Sequence, residues 1–200
     1  FINGRPNDNI GITLFAGETF TQCPLTVDHA VLLDMIHNIK CGLITDGTAV
    51  GMGIANAVTR LKDSKAKSKV IILLTDGTNN KGDISPMTAA EIAKSFGIRV
   101  YTIGVGTNGM APYPYPVGNT VQYVSMPVEI DEKTLTEIAG TTDGNYFRAT
   151  SNSKLKEVYE EIDKLEKTKL NVKEYSKRDE EYHWFALAAF LCVLLEVLLR

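Results

Sequence analysis

The stretch that decides the fold covers residues 69–106 and reads KVIILLTDGTNNKGDISPMTAAEIAKSFGIRVYTIGVG. It contains a continuous apolar run over 70–74 and a second stretch over 99–106, RVYTIGVG, that is predicted to be another buried strand. Continuous apolar runs of this length are typical of parallel strands that are buried on both faces of a sheet. Between the two runs, Pro86 predicts the start of a helix and Gly97 predicts its end. The stretch therefore predicts a strand–helix–strand unit.

The sequence on both sides continues this alternation of strands and helices. Upstream, the patterns predict a hairpin of strands 9–17 and 20–25, a helix from Asp28 to Ile39, and a helix over 49–62. Downstream, they predict a proline-rich loop, a helix over 131–139, a strand over 145–149, and a charged helix over 151–167. Alternation of this kind indicates an α/β fold with a mostly parallel sheet.

The composition excludes several classes of protein. The chain is 44% hydrophobic and 22% charged, which excludes a disordered chain. Its 21 Lys and Arg against 24 Asp and Glu give a net charge of −3, which argues against a nucleic-acid-binding protein with a broad basic face. None of the 3 cysteines forms a Cys-x-x-Cys pair, which excludes a zinc ribbon and a thioredoxin motif.

The last part of the chain has a different composition. Residues 184–199 read WFALAAFLCVLLEVLL, with Glu196 as their one charge. A helix over this run is apolar on every side and about 24 Å long, slightly less than the roughly 30 Å hydrocarbon core of a bilayer. We therefore expect a transmembrane helix over 184–200, joined to the domain by a charged juxtamembrane tether over 168–183.

Two loops carry the oxygen-bearing side chains that a hard cation prefers. The segment 44–51, ITDGTAVG, places Asp46 and Thr48 at the start of a helix, and Asp76 follows the apolar strand 70–74. In sheets of this kind ligands bind at the carboxyl ends of the strands, and Mg²⁺ accepts carboxylate and hydroxyl oxygens. The residues alone leave a second interpretation open, in which Asp46 and Thr48 are helix caps and Asp76–Gly77 is a turn.

Resemblance to a known family decides between these interpretations. KVIILLTDGTNNKG, GIRVYTIGVG and DGTAVGMGIANAV resemble a von Willebrand factor type A domain over residues 1–167. NIGITLFAGETFTQCPLT and MPVEIDEKTLTEIAG further resemble the Bacteroides-aerotolerance (Bat) A-type membrane proteins. The resemblance implies a doubly wound sheet with a metal-ion-dependent adhesion site at its top. Thr48 and Asp76 match the family's metal-binding Thr and Asp. The implied ion is Mg²⁺, with Mn²⁺ or Ca²⁺ as alternatives, and a partner protein's carboxylate completes its coordination.

The sequence departs from the family pattern at one point. No Asp-x-Ser-x-Ser motif, which follows the family's first strand, occurs in the 200 residues. We therefore expect this chain to lack that first strand, which would lie between strands 9–17 and 70–75, and to hold an incomplete metal site.

The resemblance also implies a cellular setting. It implies a protein of the bacterial inner (cytoplasmic) membrane that contacts the lipid bilayer, other Bat-type membrane proteins and a MoxR-type AAA+ ATPase. The function expected is that of an interaction module in stress tolerance or protein assembly, not an enzyme and not a nucleic-acid-binding protein.

The loop over 107–122 is a second candidate for contact with a partner. It bears Met110, Tyr113 and Tyr115 among three prolines, and exposed tyrosines on a stiff loop are typical contact anchors. The alternative is a lid that folds back over the metal site.

Three other functions are compatible with parts of the sequence. The segment 104–109, GVGTNG, has the spacing of a dinucleotide-binding motif, but the prolines at 112, 114 and 116 forbid the helix that must follow it. A phospho-receiver domain also ends a buried strand in an acid, but it would need a Lys where this chain has Gly104 and Gly106. A structural tether that binds no metal is the alternative from a different class.

Overall fold

A computed structural model describes residues 1–40, 42, 44–106, 109–117, 120–128, 130–175, 195–197 and 199. The chain divides into two compact units, Phe1–Asp163 and Lys164–Arg200. The fold and the candidate site belong to the first unit.

The strands and helices follow the predicted order, and two further strands lie in the segment that was predicted to be a proline-rich loop. The strands are β1 (Ile10–Phe15), β2 (Thr19–Thr26), β3 (Lys69–Thr75), β4 (Ile98–Val105), β5 (Gly109–Val117), β6 (Thr120–Val128) and β7 (Tyr146–Ala149). The helices are α1 (His29–His37), α2 (Val50–Leu61), α3 (Pro86–Ser95), α4 (Glu132–Thr141) and α5 (Asn152–Tyr175), and a short 3₁₀ turn covers Ile2–Gly4.

The central sheet has the strand order β3-β4-β7, and all of its pairs are parallel. Strand β4 is buried on both faces: Val100 and Thr102 point to one side, Tyr101 and Ile103 to the other, and all four are fully buried. Burial of both faces of a central strand is the property of a doubly wound sheet. The α/β class and the parallel sheet predicted from the sequence are confirmed.

One face of this sheet forms the main hydrophobic core. The core joins small residues of α3 to branched residues of α2, α4 and the strands, so three helices pack together over β3 and β4. Its buried members are Val50, Ile54, Val58, Ile71, Leu73, Ala89, Ala90, Ala93, Ile98, Val100, Ile130, Leu135 and Ile138.

The helix signals in the sequence act as predicted. Ser85 caps α3 by accepting a hydrogen bond from Thr88 N at 3.1 Å, and Pro86 occupies the first turn. Gly97 follows the helix with φ +63°, a conformation that favours glycine. Asp28 caps α1 by accepting from the backbone N–H groups of Ala30 and Val31.

Helix α5 is longer than its sequence pattern predicted. It was expected to end at residue 167 but continues to Tyr175, so the first part of the expected tether is helical. No helix among the described residues is long and apolar enough to cross a bilayer, and most of the expected span over 184–200 lies outside the described residues.

The first two strands form a sheet of their own. β1 and β2 pair in antiparallel fashion, as predicted, but they are not hydrogen-bonded to the three-stranded parallel sheet. Helix α2 contacts β1, β2 and β3 and thereby joins the two sheets. Within the described ranges, the second edge of β3 has no strand beside it. The strand that the family resemblance places between β1 and β3 stays a prediction.

The expectation of a loop over 107–122 is wrong for most of its length. β5 and β6 form an antiparallel hairpin in which Pro112, Pro114 and Pro116 lie opposite Ser125, Tyr123 and Val121. Alternate residues of a strand direct their backbone polar groups to the same edge. Prolines spaced by two therefore remove N–H groups from one edge of β5 and leave the edge that pairs with β6 intact.

Close approach of α2 to its neighbours depends on its glycines. A Cβ at Gly51 would fall on the carbonyl oxygen of Ile84, and a Cβ at Gly53 would lie 2.9 Å from the ring of Phe15. The first glycine thus sets the position of α2 against the loop that precedes α3, and this loop belongs to the candidate site described below.

We predict that Gly51→Ala lowers the free energy of unfolding by about 2–3 kcal/mol, because the added methyl group collides with backbone that cannot rotate away. Gly140→Ala is the matched control: Gly140 also lies within a helix, α4, but a Cβ there has no atom within 4 Å. This control should raise the free energy of unfolding by about 0.5–1 kcal/mol. Chemical denaturation measures both values, and equal effects of the two substitutions would contradict the packing described here.

Candidate metal and partner-binding site

Three segments of the chain meet at the carboxyl end of β3. The Gly17 N–H donates to Thr45 O at 2.7 Å, and the Ala49 N–H donates to Ala16 O at 2.7 Å. These bonds attach the 44–49 loop to the end of β1. The third segment is the loop that follows Asp76. The sequence predicted that the Thr48 and Asp76 loops would share one edge of the sheet, and the structure places them side by side.

Two asparagines join the Asp76 loop to the start of α2. Asn80 Oδ1 accepts a hydrogen bond from Thr48 N at 2.8 Å, and Asn79 Oδ1 accepts from Val50 N at 2.8 Å. In return, the Asn80 N–H donates to Thr48 O at 3.0 Å. The first N–H of α2, that of Val50, is thus satisfied from a neighbouring loop. The N-cap position of α2 is held by Ala49, so neither Asp46 nor Thr48 occupies it.

Glycine at position 47 is required by the closeness of these loops. Its φ is +135°, and a Cβ there would lie 2.5 Å from Lys81 Cγ and 3.1 Å from Gly17 Cα. A side chain at this position would therefore be strained and would also separate the loops. The Asp46 carboxylate accepts from the Gly47 N–H at 2.9 Å, which orients this turn.

The Thr48 side chain lies against the residue that follows Asp76. A Cβ built on Gly77 would be 3.3 Å from Thr48 Oγ1. The buried Thr75 hydroxyl bonds both the N–H and the carbonyl of Gly77 at 3.3 Å and so fixes the turn after β3. The turn predicted at Asp76–Gly77 is present, Asp76 is exposed, and Thr48 is half-buried.

These oxygens make up a partial donor set. Among the described residues, no three His, Cys, Asp or Glu side chains come together as metal ligands would. One hydroxyl and one carboxylate on adjacent loops suit a hard cation, but they fill only part of an octahedron. The donor chemistry of these two side chains therefore fits Mg²⁺ as part of a site, and the metal site itself stays a prediction.

Neighbouring acids in α4 have other partners. Glu132 Oε1 pairs with Arg148 Nη1 on β7 at 3.0 Å. Asp131 caps α4, and hydrogen bonds from the Thr134 hydroxyl and N–H hold the pKa of its carboxyl below the usual value. Both acids are therefore engaged within the domain.

The residues expected to contact a partner lie on the hairpin. Met110 is on β5 and is 65% exposed. Tyr113 and Tyr115 are also on β5, opposite Val124 and Gln122 of β6. The hairpin follows β4, whose carboxyl end lies at the same edge of the sheet as Asp76. The expected contact residues are therefore part of a hairpin that follows the strand ending at the same edge of the sheet as Asp76.

The asparagines at 79 and 80 are the site residues that sequence reasoning missed. Their only local signal is that two amide side chains follow a strand-end Asp-Gly turn. Asparagine in such a place usually indicates a turn, so the sequence did not reveal that their targets lie in another loop.

Comparison with known proteins agrees with this geometry. The profile of the von Willebrand factor type A domain matches residues 1–161. An uncharacterized protein of Borreliella burgdorferi is 28% identical over 196 residues, and the chain spans 57% of that relative's length. BatB from Bacteroides thetaiotaomicron is 33% identical with a TM-score of 0.68, and the match covers 83% of this chain and 85% of BatB.

Two further structures bear on the membrane and on the metal. An aerotolerance-related membrane protein from Bacteroides fragilis is 31% identical with a TM-score of 0.68, covering 82% of this chain and 83% of that protein. Proximal thread matrix protein 1 from the mussel byssus, solved with a zinc-occupied MIDAS motif, is 26% identical with a TM-score of 0.60, covering 82% of this chain and 37% of the mussel chain. The resemblance seen in the sequence is confirmed, and the chain belongs to the von Willebrand factor type A family.

Proposed function

We propose that this chain is a membrane-anchored interaction module in which Thr48 and Asp76 supply part of a divalent-cation site. A carboxylate of a partner protein occupies a further coordination position. The observation that carries the proposal is the pair of asparagine bonds, 2.8 Å each, that hold the Thr48 and Asp76 loops together. A fixed pair of loops keeps its oxygens in place before the ion arrives, so less ordering is needed on binding.

Support for the cation comes from the donor chemistry and from the family. A hydroxyl and a carboxylate suit Mg²⁺, and Mn²⁺ accepts the same oxygens. The mussel byssus relative carries zinc in its MIDAS motif, so divalent ions occupy this kind of site in the fold. Von Willebrand factor type A domains act as interaction modules, which favours binding over catalysis for this chain.

The partners proposed are other Bat-type membrane proteins and a MoxR-type AAA+ ATPase, in stress tolerance or protein assembly. They follow from the family resemblance, which the likeness to BatB and to the aerotolerance-related protein strengthens. Anchoring in the bacterial inner membrane is proposed from the apolar run 184–199 and from the description of the Bacteroides fragilis relative as a membrane protein.

The first prediction concerns the metal. Residues 1–200 alone should bind Mg²⁺ weakly or not at all by calorimetry, because two protein oxygens cannot offset the reluctance of Mg²⁺ to lose water. A longer form that supplies an Asp-x-Ser-x-Ser loop should bind it, and Asp76→Ala in that form should abolish binding. Asp63→Ala is the matched control, since Asp63 is an exposed acid beyond the opposite end of α2. Tight binding by residues 1–200 would show that the site is already complete.

The second prediction concerns capture of the ATPase. The double substitution Tyr113→Ser and Tyr115→Ser should abolish co-purification with the MoxR-type AAA+ ATPase encoded by the same genome, because tyrosines are strong contact anchors. The melting temperature should not change, because none of the described core residues belongs to the hairpin. A large fall in melting temperature with capture intact would favour the lid interpretation instead.

The third prediction concerns the membrane. Removing residues 183–200 should move the protein from the membrane fraction to the soluble fraction, because it removes the apolar run that favours insertion. Carbonate extraction provides the control, since it releases peripheral proteins and leaves spanning ones in place. Release of the full chain by carbonate would contradict a spanning helix.

A further inference from the structure

The hairpin of β5 and β6 exposes one strand to solvent on both faces. Residues 120–125 of β6 are all exposed, including Val121 at 57%, Tyr123 at 72% and Val124 at 47%. Successive residues of a strand point to opposite faces, so neither face of this stretch is covered by the domain. An isolated two-stranded ribbon is marginally stable in water and gains from pairing with further strands.

The two outer edges of the ribbon differ. In a hydrogen-bonded antiparallel pair, each residue donates its backbone N–H to the carbonyl oxygen of the other, and proline has no N–H to donate. Pro112, Pro114 and Pro116 must therefore lie in the other kind of pair, with their backbone polar groups on the outer edge of β5. That edge lacks three N–H donors and cannot accept a further strand along its length.

Within the described ranges, no strand pairs with the outer edge of β6. Since Val121, Tyr123 and Ser125 lie opposite the three prolines, their N–H and C=O groups point away from β5. No residue in 109–128 carries a charged side chain, so the edge lacks the lysines that commonly prevent strand pairing. Any strand that pairs there must be compatible with an uncharged, apolar surface.

We propose that β6 pairs with β6 of a second copy of this chain, in antiparallel fashion about a two-fold axis at Tyr123. Val121 then exchanges hydrogen bonds with the partner's Ser125, and Tyr123 with the partner's Tyr123, which gives about six backbone hydrogen bonds. The register is set by Pro127, because moving the axis to Ser125 would pair Pro127 with Tyr123 and lose donors. This surface lies on the hairpin of the proposed partner contacts, but self-pairing needs neither the metal nor the ATPase.

A second copy is the occupant that the edges favour. The open edge is complementary to itself, as a two-fold interface requires. The resulting sheet of four strands has a proline-blocked β5 on each outer side, so it stops at the dimer and cannot grow. The contact is smaller than a standard interface, so we expect a weak dimer that a shared membrane would strengthen by raising the local concentration.

The test measures the dimerisation of the full chain in detergent micelles by sedimentation equilibrium, with excess EDTA to remove metal. Wild type should show a concentration-dependent dimer. Ser125→Pro should weaken it by about thirtyfold, equivalent to about 2 kcal/mol, because two hydrogen bonds per dimer are lost. Ser125→Ala is the matched control, which keeps the N–H and should change the dissociation constant less than about twofold.

Proline at 125 should leave the hairpin intact, because Ser125 lies opposite Pro112 in a pair that uses neither N–H. An unchanged melting temperature checks that the domain is folded. A second measurement tests the register. In Tyr123→Cys, the two thiols at the axis should form an intermolecular disulfide faster than in Val124→Cys or wild type, since facing Cα atoms lie about 5.5 Å apart.

Three results would overturn the proposal. The wild-type chain could stay monomeric at every concentration. This result would exclude self-pairing even if an uncharged extended peptide bound to β6. Ser125→Pro could dimerise as tightly as Ser125→Ala, which would place the dimer contact elsewhere. The Val124→Cys variant could cross-link as fast as Tyr123→Cys, which would exclude the register. Because metal and ATPase are absent from the assay, none of these results bears on the cation site.

Discussion

The parallel pairing of β3 with β4 is the constraint on which the rest of the domain depends. The register runs from Lys69↔Ile98 to Thr75↔Gly104, so the two strands end together. A parallel pair needs a crossover, and α3 supplies it on the face where α2 and α4 also pack. Because both strands end at one edge, Asp76 and the hairpin that follows β4 leave the sheet on the same side. The Asp76 loop and the hairpin therefore start from the same edge of the sheet.

Much of this arrangement could be predicted from the sequence, because its signals are local. Buried parallel strands need continuous apolar runs, and Pro86 and Gly97 act on their own helix. The position of Asp76 at the edge of the sheet follows from the strand that it ends. The asparagine bonds could not be predicted in this way. Asn80 and Thr48 are separated by 32 residues, and an Asx side chain gives no sign of whether it will bond near or far along the chain.

The hairpin shows where composition misleads. Three prolines in five residues predict a loop, because proline is rare in strands. Their spacing of two carries different information, since it confines every missing donor to one edge. The same residues that exclude a central strand are compatible with the edge of a ribbon. Helix α5 shows the opposite case: its continuation to Tyr175 covers charged residues that composition alone assigns to a tether.

The asparagine bonds have a consequence for how the loops open. The backbone N–H groups of Thr48 and Val50 are bonded to side chains of a separate loop and not to the helix that they begin. Their exchange with deuterium therefore requires the Asp76 loop to move away, whereas amides deeper in α2 exchange only when the helix itself unfolds. These two protons report the opening of the loop separately from the unfolding of the domain. An ion that bridges Thr48 and Asp76 would slow their exchange without changing that of the β4 amides.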